Sequence, residues 1–88
     1  MITMEDVIGL SGLTEAEIDA IAEHEHIPEI AAAALGAYLL HEEHGPETIV
    51  EIIRDDIRHA ISQGNQKHAG ELLAALRHFL GEHGVGMR

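Results

Sequence analysis

The stretch 27-IPEIAAAALGAYLL-40 is apolar on nearly every side, and its reading decides the fold. From Ile30 to Leu40 it carries no charge, and only Gly36 and the Tyr38 hydroxyl interrupt the hydrocarbon. Pro28 suits a first helical position, where its missing N–H is not needed and its fixed φ is already helical. Glu29 beside it favours the positive end of the helix dipole. The segment predicts a helix running to about Glu43, with Gly45 as a left-handed residue past its end. A helix that is apolar all round must be surrounded, either by its own chain or by a second copy. Ala32, Ala33 and Gly36 fall on one side of it, where they would let another backbone come close.

The charged segments on either side read as its wrapping. Upstream, Thr14-Glu15-Ala16-Glu17 has the spacing of a capping box, in which the Thr14 hydroxyl and the Glu17 carboxylate close free amides reciprocally. The helix it opens runs to about His26, with Ile18, Ile21 and Ala22 inward. Ile27 precedes a proline and is biased away from the α region, so a boundary falls there. A short helix from about Thr3 to Ile8, capped by Thr3, comes before. Downstream, Pro46 starts a helix to Ser62 whose apolar positions 49, 50, 53, 57, 60 and 61 have helical spacing. Gln63-Gly64-Asn65 is a turn. A last helix spans about Gln66–Leu80, with Ala69, Leu72, Leu73, Leu76, Phe79 and Leu80 inward. No strand pattern and no internal repeat occurs. The expectation is an all-α fold: a small bundle of four main helices plus a short N-terminal helix. Residues 1–83 form one domain, and 84–88, rich in glycine, form a flexible tail.

Sixteen acidic residues against five basic ones give a net charge of −11. Such a surface repels phosphate backbones and anionic lipid, which argues against nucleic-acid and membrane roles and favours cations or a basic protein partner. With no cysteine there is neither a disulfide nor a thiolate metal site. The start, MITMEDVIGL, is acidic and lacks the regions of a signal peptide, and the longest apolar run is too short for a bilayer. The expected location is the cytoplasm. Tyr38 and Phe79 are the only aromatic residues, so the core is aliphatic. In a chain of 88 residues a core of that kind gains from extra burial in a homo-oligomer.

The chemical signal is an excess of histidine, eight residues set among the carboxylates. Glu23 and His26 form a Glu-x-x-His pair, Asp56 and His59 repeat it with the shorter acid, and His41 and His44 share the spacing, which places each pair on one helix face. Asp56, Glu25 and His41 each fall in line with the apolar stripe of their helix. A carboxylate buried there needs a partner: a histidine, an arginine, a backbone amide or a metal. The candidate ligands are therefore Glu23, Glu25, His26, His41, Asp56 and His59, a nitrogen and oxygen set suited to zinc, iron or manganese. The pattern is loosely similar to that of ferritin-like di-metal proteins, which carry Glu-x-x-His on two helices. It departs from them in the aspartate at 56 and in His26, which stands beside Pro28.

Two readings use the same residues without metal. Protonating all eight histidines would move the formal charge from −11 to −3, the basis of a pH-sensitive assembly. A homo-oligomeric interaction module would need only the apolar central helix. His24, His68 and His78 lean outward, and His41 could simply cap the central helix. No G-x-S-x-G, H-E-x-x-H or glycine-rich phosphate loop is present, and an enzyme is not expected.

The segments LTEAEIDAIAEHEHIPEIAAAALGAYLL (13–40), IIRDDIRHA (52–60) and LRHFL (76–80) resemble a family of small uncharacterised bacterial helical proteins. The resemblance covers most of residues 10–83. It implies a cytoplasmic all-α domain and brings no activity or catalytic residue with it.

Overall fold

A computed structural model describes residues 3–84, which form five helices and, among the described residues, no strand: α1 (Met4–Ser11), α2 (Glu15–Glu25), α3 (Glu29–Leu40), α4 (Gly45–Ser62) and α5 (Gln66–His83). The fold is all-α, as the sequence predicts. Both N-terminal helices open on capping boxes. In the first, Thr3 and Asp6 exchange bonds of 3.1 Å; in the second, the Thr14 amide donates to Glu17 Oε1 at 2.9 Å and the Glu17 amide donates to Thr14 Oγ1 at 3.2 Å. Asn65 caps α5 by accepting from the His68 amide. Residues 85–88 of the expected tail lie outside the described residues, and Gly84 closes α5 in the left-handed region.

The largest fully buried side chains come from α4, α5 and α2 rather than from α3, and three of them belong to α2. The α2 helix packs against α3, α4 and α5, and Ile18 and Ile21 are completely buried along with Ala20 and the carboxylate-bearing Glu17. Opposite them stand Ile49 and Ile53 of α4 and Phe79 of α5, also fully buried. The α3 helix is only partly surrounded. Its small residues Ala32, Ala33 and Gly36 point into the chain's own core, and a Cβ on Gly36 would fall 2.3 Å from Leu13 Cδ1. Its opposite face, with Ile30 and Tyr38 about 60% exposed, is open.

Several boundaries and faces differ from the sequence expectation, each for a local reason. The α3 helix stops at Leu40, and residues 41–44 form turns. Gly45 is not a left-handed end residue; it is the buried first residue of α4, and its backbone lies so close to Leu39 that no side chain fits between them. Among the described non-glycine residues the left-handed position is His26, at the end of α2, with φ 59° and ψ 44°. Ile27 must leave the α region before Pro28, and the reversal is taken one residue earlier. In α4 and α5 the inward stripe is narrower than expected. Ile61 and Leu73 are exposed, while Ile52 and Ala75 take buried places. Ile61 falls in the last turn of α4, where nothing covers it. Leu73 follows the buried Leu72 by about 100° of helix rotation, which carries it off the inner face.

Candidate functional site

An open cleft of about 330 Å³ lies between the end of α2 and the middle of α4, lined by Glu23, His24, His26, Asp55, Asp56 and His59. Four of the six ligand candidates from the sequence, Glu23, His26, Asp56 and His59, are brought together there. Asp56 belongs to the buried stripe of α4, one turn after Ile53 and one before Ala60, and is only 7% exposed. Its Oδ2 atom is buried and has no hydrogen-bond partner. Burial is the main reason its pKa is pushed up to about 6. The neighbouring Glu23 carboxylate adds to the rise, while His24 and His68 oppose it.

The surrounding groups are already in partial use. His24 Nδ1 donates to Glu25 Oε2 at 3.0 Å, and its Nε2 lies 3.5 Å from Asp55 Oδ2. Burial alone would lower the His24 pKa, but those two carboxylates outweigh it and the net shift is upward. Asp55 is held low chiefly by its bond to Arg58, one turn along α4. Glu23 Oε1 accepts from His68 Nε2 of α5 at 2.8 Å, and His68 Nδ1 also pairs with Glu71 at 3.2 Å. These two bonds raise the His68 pKa, Glu23 contributing most. Glu23 thus joins α2 to α5 through one oxygen and also lines the cleft.

A second histidine–carboxylate contact lies away from the cleft. Glu17, only 1% exposed, accepts from His78 Nδ1 on its second oxygen at 2.9 Å while the first caps Thr14. This carboxylate has both oxygens satisfied, and the bond to Glu17 raises the His78 pKa. Asp56 has no equivalent partner for Oδ2. That contrast separates a structural carboxylate from a candidate functional one.

Two of the expected residues stand elsewhere. Glu25 is the last residue of α2, is exposed, and serves only His24. His41 is exposed, not turned to the core, and its Nδ1 donates to the Ala37 carbonyl at 2.8 Å, closing the end of α3. The heptad arithmetic that placed both inward fails at helix ends, where no further turn covers the stripe. In the other direction, sequence reasoning missed His24 and Asp55. His24 adjoins two glutamates, and Asp55 precedes the buried aspartate; neither lies on an apolar stripe, so only the meeting of α2 and α4 reveals them.

As the side chains stand, no three His, Asp or Glu groups among the described residues lie close enough together to hold a metal ion. The cleft is therefore not a finished coordination sphere. Glu23, His26 and His59 are exposed at its lip, where side-chain rotation changes what they reach. Among the described residues no helix is long and apolar enough to cross a membrane. Searches against protein-family models, curated proteins and solved structures find no match.

Proposed function

We propose that this chain is a small divalent-cation-binding helical protein whose site is the cleft between α2 and α4. One observation carries the reading: Asp56, whose buried Oδ2 has no hydrogen-bond partner, lines a cleft together with three imidazoles and two further carboxylates. A buried carboxylate oxygen without a donor is costly, and a cation is the ligand that relieves that cost most directly. Asp56 is the fixed anchor. His24, His26 and His59 supply neutral nitrogen ligands, and Glu23 supplies an oxygen ligand on the free side of its carboxylate. Mixed imidazole and carboxylate ligation suits zinc best, with iron and manganese as competitors.

Ordering the exposed lip residues costs up to about 1–2 kcal/mol each, so the site binds more weakly than a preformed one. It also forms best where the imidazoles are neutral, since a ligating histidine must release its proton. The test is calorimetric titration of zinc into the full chain, alongside Asp56→Asn and His41→Ala. One zinc per chain is expected, with affinity reduced at least tenfold by Asp56→Asn and unchanged by His41→Ala. Equal affinity in the Asp56 variant, or no zinc bound by the parent chain, overturns the proposal.

A further inference from the structure

All five lysine and arginine residues lie at or after Arg54, so α1, α2 and α3 carry no fixed positive charge. The open face of this acidic half is also its most apolar surface. Leu10, 82% exposed, stands beside a shallow groove lined by Val7, Ser11, Ala33, Ala34 and Ala37, between α1 and α3. Ile30, Ala34 and Tyr38 continue the exposed face along α3 at four-residue spacing. Carboxylates bound it. Glu5 and Asp6 share a depression with Leu10, Glu29 opens α3, and Glu42 and Glu43 follow its end. Asp19 and Glu15 lie near Glu29 and raise its pKa, so negative charge is concentrated at that corner.

The outer face of α5 has the opposite character. Lys67, Gly70, Leu73, Ala74 and Arg77 are exposed at helical spacing. Leu73 and Ala74 form an apolar centre, with one cation on each side. Arg54 and Arg58 pair with Glu51 and Asp55 on their own helix, but among the described residues Lys67 and Arg77 have no carboxylate partner. Glu71 on the same helix is engaged by His68. Lys67 and Arg77 are ten residues apart, about 15 Å along a helix. The α3 helix, from Glu29 to Leu40, is about 16 Å long by the same measure, with Glu42 just past its end.

We propose that the chain self-associates head to tail, the α5 outer face of one copy docking on the α1–α3 face of the next. Leu73 and Ala74 meet the small-residue groove, while Lys67 and Arg77 meet the carboxylates at its ends. A two-fold arrangement of α1–α3 faces would bring like charges together around the apolar patch; the head-to-tail arrangement brings opposite ones. Because the two surfaces differ, the contact is heterologous and generates a ring or an open filament. It weakens as salt screens the rim charges.

Ala34→Glu alters only the acceptor face and Leu73→Glu only the α5 face, and both positions are exposed, so each variant should fold, as circular dichroism will verify. Sedimentation measures mass as a function of concentration. The parent chain is expected to grow beyond a monomer with rising concentration, and each variant alone is expected to remain monomeric. Mixed in equal amounts, the two variants retain one intact face each and form a complex that stops at a dimer. A parent chain that stays monomeric at millimolar concentration overturns the proposal. So does a mixture that forms no complex containing both variants, and so does continued assembly by either variant alone, which a two-fold α1–α3 interface would give for Leu73→Glu.

Discussion

Gly45→Ala is expected to unfold most of the chain. A Cβ built on Gly45 would lie 1.5 Å from the Leu39 carbonyl oxygen and 2.4 Å from its carbon. Those are backbone atoms at the end of α3, so no side-chain rotation relieves the collision. Either α4 moves away from α3 or the last turn of α3 comes apart, and both exits take Ile49 and Val50 out of the core that they share with α2. The expected loss exceeds about 4 kcal/mol, in the range reserved for severe steric or core damage. Domains of this size have only about 5–15 kcal/mol of total stability. Gly64 is the control. It sits at φ 73° with open space around it, so Gly64→Ala meets only the torsional cost of a left-handed residue, about 1 kcal/mol. Urea unfolding followed by circular dichroism separates the two. Equal midpoints for the two variants would mean that the α3–α4 approach is not as close as described.

Asp56→Asn is expected to stabilise the metal-free protein at alkaline pH. The Asp56 pKa rises from near 3.8 to about 6 on folding, which corresponds to about 2–3 kcal/mol lost whenever the carboxylate is ionised. The sign follows from which state holds the proton more tightly. With the folded pKa above the unfolded one, the loss is complete above about pH 6, shrinks as pH falls through 6, and vanishes below about pH 4. The asparagine variant should therefore exceed the parent by about 2 kcal/mol at pH 8 and match it near pH 4, with chelator present throughout. The raised pKa of His78, paired with Glu17, acts in the same direction. Its stabilisation is present below about 6.5, the ordinary histidine value, and fades as pH rises through the folded pKa. Mild acid should thus stabilise the parent chain until the low-pKa carboxylates, such as Asp55, begin to protonate. Melting curves from pH 4 to 8 test this, and a parent chain most stable at pH 8 would contradict it.

Local signals account for much of what the sequence made legible. The Thr14–Glu17 capping box, the Pro28 boundary and the Asn65 cap are written within four residues of where they act. Asp56 was legible for a related reason. It follows Ile49 and Ile53 in the middle of a long helix, where periodicity is a sound guide to burial. The same arithmetic misplaced Glu25 and His41, because a stripe has no covering neighbour at a helix end. It also could not show that α2, an acidic helix of eleven residues, would supply three of the largest fully buried side chains. Its partners are remote. Glu17 meets His78 and Glu23 meets His68 at separations of 61 and 45 residues, set by how α2 and α5 pack rather than by any local pattern.

We propose above that the cleft between α2 and α4 takes up a divalent cation. The most direct test follows the eight imidazoles by ¹⁵N NMR while zinc is added to the full chain. The resonances of His24, His26 and His59 are expected to change first and saturate together at one equivalent, while those of His41, His44 and His83 stay in place. Changes led by His41, His44 or His83, with the three cleft histidines unmoved, would contradict the proposal.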